Sequence, residues 1–390
     1  MYQVYCMNNI AKVGTDALGP CFELCDDERA AEAFIVRSAN LHETEFSKNL
    51  LAIARAGAGV NNIPLDACAD KGIVVFNSPG ANANAVKELV LCGMLLACRD
   101  IIGGVEWVRE NSDDPEVGKK AEKVKKNFAG TEISGKTMGV IGLGAIGTQV
   151  ANAARRLGMH VYGYDPYLSV QAALALDRHT HTVKTLDEIF EVADFITIHV
   201  PANDSTKGMI DADAIAKMKD GVVVLNYARD LLVDERAMAE AVQSGHVARY
   251  MTDFANSVST QMANAIVTPH LAASTKEAED NCAIMAAGEL RDYLLNGNIT
   301  NSVNFPATDM GPISTPMRLG IFHKNVPNMI GQITSAVSGA GANIENMTDK
   351  SRGDNAYMLA ELDRVLDADA LRALSEIEGI FRVRAIVPQE

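Results

Sequence analysis

Residues 138–147 read MGVIGLGAIG, a short apolar run that passes straight into Gly142-Leu143-Gly144-Ala145-Ile146-Gly147. An amphipathic segment, TQVANAARRLG, follows at once. A strand that turns through glycines into a helix uses Gly142 for the tight turn and Gly144 for close approach to a pyrophosphate. Gly147 lets the helix pack on the strand. Phosphates then rest on free N–H groups at the helix start, those of Ala145 and Ile146 among them. Asp165 closes the next apolar run, HVYGY, 18 residues past Gly147. A carboxylate there accepts from a ribose 2′-hydroxyl and repels a 2′-phosphate, so the pattern favours NAD over NADP.

The same alternation fills most of the chain. MGVIG, HVYGY, FITIHV (195–200), VVVLN (222–226), RYMTDF (249–254) and AIVTP (265–269) read as buried parallel strands, with amphipathic helices between them. This is the signature of a doubly wound α/β sheet. A weaker series, including LAIARAG and GIVVFN, precedes the glycine motif. We therefore expect two doubly wound Rossmann-like domains, one inserted in the other: 1–90 with 275–300 for substrate, and 91–274 for the nucleotide. STKEAEDNCAIMAAGELRDYLLNG reads as a long helix with capping-box spacing at Ser274 and Glu277, and Gly297 ends it. The Asn-, Pro- and Gly-rich stretch 301–316 reads as a linker. Residues 317–390 show the order βαββαβ, a ferredoxin-like unit.

Composition narrows the function. The 390 residues carry a net charge of −15, which argues against nucleic acid and anionic membrane as general partners. Seven scattered cysteines without a CxxC pair argue against a disulfide framework and a metal site, and fit a reducing, cytoplasmic setting. The N-terminus has no signal-peptide pattern, and the longest apolar run, Leu89 to Cys98, is too short for a membrane span.

Several stretches resemble the D-isomer-specific 2-hydroxyacid dehydrogenases: RAGAGVNN (55–62), NSPGANANAVKEL (77–89), GKTMGVIGLGAIG (135–147), HVPANDSTKGMI (199–210), LNYARDLLVDE (225–235) and TPHLAAST (268–275). NSVNFP (301–306) and the C-terminal unit, which looks like an ACT domain, resemble the branch acting on phosphoglycerate. The resemblance implies NAD-dependent oxidation of D-3-phosphoglycerate to 3-phosphohydroxypyruvate, the first step of L-serine biosynthesis. It implies a homodimer or homotetramer. It assigns Arg229 to the substrate carboxylate and His270 to proton transfer. It implies cofactor contacts at His199, Val200, Pro201, Ala228, Asp253 and Ala272 beside the glycine motif and Asp165. Substrate contacts fall at Arg55, Gly57, Ala58 and Asn82. Serine is the implied effector of the ACT-like unit, with Asn325 as a contact and Asn343 or Asn346 as weaker ones.

The residue types suit this chemistry. Oxidising a 2-hydroxy acid moves a hydride from carbon and a proton from oxygen, and histidine titrates in the range such a base needs. An arginine fork matches a carboxylate. Both residues also have ordinary readings. Arg229 could pair with Asp230 or Asp234, and His270 could be a satisfied histidine beneath a loop. Lys125, in KKAEKVKKNF, is either a phosphate ligand or part of a solvated lysine-rich face.

Three departures stand out. The family's glutamate partner for the histidine would fall near Ser257 or Val258, and no acid lies there. Asp253, a carboxylate from elsewhere (another subunit included), or no partner at all are the alternatives. Asp230 and Ala272 stand where the family has glycines. A reductase for glyoxylate, hydroxypyruvate or another 2-hydroxy acid keeps the fold and changes the substrate. A catalytically weak amino-acid or NAD sensor is the third reading.

Overall fold

The computed structural model describes residues 1–388. The chain divides into two compact units, Met1–Asn82 with Glu279–Glu390, and Ala83–Ala278. The divide falls at 82/83 and 278/279, several residues from the expected 90/91 and 274/275. The helix Ala83–Cys98 accounts for the first shift. Its Val86, Val90, Met94 and Cys98 recur at helical spacing and pack with Val140, Leu143 and Val150 of the second unit.

The first unit begins with a five-stranded parallel sheet. Its strands are β1 (Tyr2–Cys6), β2 (Phe22–Leu24), β3 (Ala33–Val36), β4 (Ala52–Arg55) and β5 (Val74–Asn77), in the order β2-β1-β3-β4-β5. Both faces are covered. Ile35, Ala54 and Phe76 join one core, and Phe34, Ile53 and Val75 the other.

The second unit holds a seven-stranded parallel sheet. Its strands are β6 (Thr137–Ile141), β7 (His160–Tyr164), β8 (His181–Thr182), β9 (Phe195–Ile198), β10 (Val222–Asn226), β11 (Val247–Thr252) and β12 (Ala265–Val267). The order is β12-β11-β10-β9-β6-β7-β8. Val222 and Val224 face one core while Val223 and Leu225 face the other, so an unbroken apolar run is what a two-sided parallel strand requires. The chain leaves β6 toward β7 and β8, then crosses back to β9. The crevice between the ends of β6 and β9 is therefore the topological switch point, where ligands of such sheets bind.

The C-terminal part of the first unit is a four-stranded antiparallel sheet of β13 (Met317–Lys324), β14 (Ile344–Arg352), β15 (Asn355–Leu362) and β16 (Ile380–Ile386). Its order is β14-β15-β13-β16, with the helices Met329–Gly339 and Ala368–Ser375 in the two crossovers. This is the expected ferredoxin-like unit. Leu319, Ile321, Met358 and Ala360 pack under the helices. From the opposite face, Phe322, Tyr357 and Leu359 join the same core as Phe76, Tyr293 and Phe305.

Residues 301–316, expected as a linker, are instead packed. Phe305 and Thr308 are fully buried. Asn304 sits against β5 and exchanges two side-chain bonds with its edge, accepting from Val75 N–H at 2.9 Å and donating to the Ile73 carbonyl at 2.8 Å. The buried Arg318 donates to the carbonyls of Asn296 and Gly311, both at 2.8 Å, and to Glu361 at 2.6 Å. A polar composition here serves neighbouring backbone rather than solvent. The long helix spans Lys276–Asn296, with Gly297 in the left-handed region after it. Thr275, not Ser274, caps it: the Thr275 hydroxyl accepts from Ala278 N–H at 3.1 Å. Among the described residues no helix is long and apolar enough to cross a membrane.

Candidate active site

The glycine turn after β6 is built from missing side chains. Gly142 has φ 91°, and a Cβ there would lie 2.8 Å from the His199 carbonyl. A Cβ on Gly147 would lie 1.8 Å from the Gly142 carbonyl oxygen. Both contacts are with backbone, so neither neighbour can swing away. Gly144 and Ala145 are exposed at the tip, and no side chain caps the helix Ala145–Arg156 that starts there. The first-turn N–H groups are thus presented at the positive end of the helix. Asp165, after β7, accepts from Leu143 N–H at 2.9 Å and from Tyr167 N–H at 2.8 Å. It braces the turn from beside β7. These residues fit a dinucleotide: a cradle that a Cβ would fill, an open helix start, and an acid beside it.

His199 follows β9 across the switch point, with its N–H bonded to the Ile141 carbonyl at 2.7 Å. Its Nε2 meets Thr197 Oγ1 at 2.9 Å, while Nδ1 is buried without a partner among the described residues. Burial pulls this imidazole down to about 3, so it is neutral at neutral pH. Val200 is half-buried and Pro201 exposed beside it.

Arg229 lies just past β10. Fully buried Asn226 ends that strand and organises the turn. It donates to the Arg229 carbonyl at 2.9 Å and accepts from Ala228 N–H at 3.2 Å. The Arg229 guanidinium donates to the Ala228 carbonyl at 2.7 Å. No ion pair joins it to Asp230 or Asp234 among the described residues; Asp234 instead caps the helix Glu235–Ser244. Asp230 needs no positive φ, since it opens a short 3-10 turn, and its carboxylate accepts from Leu231 N–H at 2.9 Å. The glycine expected there is not required by this backbone.

His270, past β12, is exposed and has φ 59°, one of three non-glycine residues in the left-handed region among those described. Such a conformation persists only where its surroundings over-determine it. Asp253, at the end of β11 and 1% exposed, does this. Its Oδ1 accepts from Thr268 Oγ1 at 2.5 Å and Leu271 N–H at 2.7 Å, and its Oδ2 from Ala272 N–H at 2.8 Å. Its carbonyl accepts from His270 N–H at 3.0 Å. Asp253 therefore does not turn toward the His270 ring. Its carboxylate gathers the turn 268–272, and buried Ala272 takes part through its backbone. Within the unit Ala83–Ala278, among the described residues, neither ring nitrogen of His270 makes a hydrogen bond or ion pair. The contact it does make is with Phe254, ring centroids 5.2 Å apart and planes at 67°. An aromatic partner at that place was not read from the sequence, although Phe254 directly follows Asp253.

The remaining candidates fall elsewhere. In the first unit Arg55 ends β4, with Gly57 (φ 145°) and Ala58 in the turn beyond. Asn77 donates to the Ala58 carbonyl at 2.6 Å, and Ser78 N–H to that of Gly57 at 3.0 Å, so the loop after β5 braces the loop after β4. Asn82 directly precedes the helix Ala83–Cys98. Lys125 is exposed and pairs with Glu122 at 2.5 Å, on a segment whose helix buries no residue. In the C-terminal sheet Asn325 follows β13 and donates to the Gly353 carbonyl at 3.1 Å. Asn343 precedes β14, beside Asp363. The register puts them at opposite ends of the sheet, roughly 25 Å apart for strands of this length. One chain does not bring the two together, and Asn346 is exposed on β14.

Residues 91–272 match the family model described as D-isomer specific 2-hydroxyacid dehydrogenase, NAD binding domain. The D-3-phosphoglycerate dehydrogenase of Escherichia coli K12 is 33% identical over 386 residues, 93% of this chain and 90% of that protein. That of Mycobacterium tuberculosis H37Rv is 38% identical over 283 residues, 70% of this chain; the match spans about half, 51%, of the mycobacterial protein. The NAD+-bound 3-phosphoglycerate dehydrogenase of Entamoeba histolytica superposes with a TM-score of 0.61 at 26% identity, over 78% of this chain and 98% of that one. A glyoxylate reductase from Paecilomyes thermophila gives 0.65 at 24% identity, over 77% and 98%, a likeness of fold.

Proposed function

Since the chain belongs to the D-isomer-specific 2-hydroxyacid dehydrogenases, we propose that it oxidises D-3-phosphoglycerate to 3-phosphohydroxypyruvate with NAD, as the first step of L-serine biosynthesis. The observation that carries this reading is the shared edge of one sheet. The glycine turn, Arg229, Asp253 and His270 all leave the carboxyl ends of its strands, and the last three come from the neighbours β10, β11 and β12. NAD, when bound, supplies the nicotinamide that takes the hydride. The chain's residues do the rest. Gly144, Ala145 and Ile146 offer N–H groups to the pyrophosphate. Asp165 selects the 2′-hydroxyl. Arg229 holds the substrate carboxylate and polarises the carbon–oxygen bond. His270 Nδ1 or Nε2 takes the hydroxyl proton during oxidation and returns it in the reverse direction.

The decisive assay is steady-state reduction of 3-phosphohydroxypyruvate by NADH, with glyoxylate and hydroxypyruvate run beside it. The phosphorylated keto acid should give the highest kcat/KM; preference for glyoxylate would move the chain to the reductase reading, and no turnover on any of them to a sensor. His270→Asn should lower kcat at least about a hundredfold.

The same reading includes a homodimer or homotetramer. The helix Ile101–Glu110 supports it, because it buries no residue and exposes Ile101, Ile102, Val105 and Val108. Light scattering of the wild type against Val105→Asp tests it. Serine as an effector of the ACT-like sheet is supported by the ferredoxin-like topology and exposed Asn325, and inhibition of turnover by serine tests it. A cytoplasmic location is supported by the seven cysteines, all free thiols.

A further inference from the structure

We propose that the Phe254 ring, rather than a carboxylate, orients the His270 imidazole, and that Glu235 holds this phenylalanine in place through Asn256. The inference rests on the dehydrogenase reading and makes Phe254 and Glu235 positioning residues for it. His270 is exposed, its backbone is fixed by Asp253, and the torsions that aim its ring have no polar restraint within the unit. The ring packed across it at 5.2 Å and 67° is the remaining constraint.

Phe254 is itself held by a closed turn. Its N–H donates to Thr252 Oγ1 at 3.3 Å, and its carbonyl accepts from the fully buried Ser259 hydroxyl at 3.0 Å. Asn256 sits at the centre. Its Oδ1 accepts from Val258 N–H at 2.8 Å and Ser259 N–H at 2.9 Å, and its own N–H donates to Ser259 Oγ at 3.1 Å. One group of Asn256 is left over, the Nδ2 amine, and it donates to Glu235 Oε2 at 2.5 Å.

Glu235 opens the helix Glu235–Ser244, where an acid ordinarily faces water and complements the helix dipole. Here it is folded inward instead. Its Oε1 is buried without a partner among the described residues. Burial of a carboxylate works against stability. Its use here is to anchor the one amide that shapes the 254–260 turn. The window near Ser257 and Val258, which holds no acid, thus contains an asparagine turn, and the acid that serves it comes from the preceding helix.

The test compares wild type, Phe254→Leu, Glu235→Ala, Glu235→Gln and His270→Asn by steady-state kinetics and by the proton NMR signals of the His270 ring, assigned by their loss in His270→Asn. Phe254→Leu should lower kcat about tenfold, as misaimed catalytic groups do, with KM for NADH within about twofold. The ring-current shift that Phe254 imposes on the His270 protons should vanish. Glu235→Ala should change both readouts in the same direction by a smaller factor, and Glu235→Gln, which keeps an acceptor for Asn256, should restore them. Unchanged His270 signals and kcat in Phe254→Leu overturn the first half of the proposal. Wild-type behaviour of Glu235→Ala overturns the second. If His270→Asn stays active, it is the proton role of His270 that fails. If His270→Asn is dead while Phe254→Leu turns over like wild type, the dehydrogenase reading stands and only the positioning is overturned.

Discussion

Two turns leave the same edge of the seven-stranded sheet, and each holds its backbone in a conformation that ordinary side chains resist. The turn 142–147 does so by subtraction: Gly142 and Gly147 remove the atoms that would collide with backbone. The turn 268–272 does so by addition: Asp253 draws three donors onto one carboxylate, and His270 is held at φ 59° in consequence. A missing Cβ constrains its own position, so any substitution there acts at once. A gathering carboxylate constrains residues 15 to 19 places away and depends on every donor arriving.

The largest effect should come from the first turn. Gly147→Ala places a methyl 1.8 Å from a backbone oxygen, so NADH affinity should fall at least about a hundredfold by fluorescence titration, since the open helix start is lost. Binding within threefold of wild type would show that this turn can yield. Next, Asp253→Asn keeps the shape but points an N–H₂ at one of the three donors. An unsatisfied buried group costs about 1–3 kcal/mol, so thermal stability should drop. kcat should fall about thirtyfold, because His270 loses its fixed backbone. A variant with normal kcat would mean that the left-handed residue is held by something else. Asp165→Ser should follow, shifting the preference between NAD and NADP by about tenfold toward NADP, read as the ratio of kcat/KM values.

The last contrast concerns a buried carboxylate without Asp253's company, and it is read in stability rather than in turnover. Glu289, 6% exposed, takes one bond, from Asn301 at 2.7 Å, and its other oxygen is unpartnered among the described residues. Burial lifts it to about 8 from 4.5, against the Asn301 bond. Between those values the native state keeps a proton that the unfolded chain has released. Its contribution is therefore complete below about 4.5 and is lost as pH rises through about 8, at about 1.4 kcal/mol per pH unit. Chemical denaturation of wild type and Glu289→Gln across pH 5–9 should show their difference growing with pH in favour of the glutamine. A flat difference would mean that water or another donor reaches the carboxylate.

These contrasts explain what the sequence disclosed. The strand–glycine–helix pattern and Asp165 were legible because each residue's part follows from its own chemistry and its place beside a strand. The ferredoxin-like order was legible from the succession of apolar runs. Asp253's role was hidden because its donors lie on a different strand's exit. The packed state of residues 301–316 was hidden for a related reason. Asn and Thr side chains look solvated in a sequence, yet Asn304 completes the edge of β5. The cap of the long helix moved by one residue, from Ser274 to Thr275, because the Ser274 hydroxyl donates to the His270 carbonyl at 3.3 Å.

The aromatic seam beneath the C-terminal sheet has a practical corollary. Phe322 stacks edge-on to Phe305 at 4.8 Å, Arg384 lies over the Tyr293 ring at 4.4 Å, and the Tyr357 hydroxyl donates to the Gly297 carbonyl at 2.8 Å. A gene cut after codon 316, at the border suggested by composition, would strip the cover from Phe76, Tyr293 and Phe305 together. The shortened product should aggregate on expression, where a domain hung on a true tether would have been dispensable.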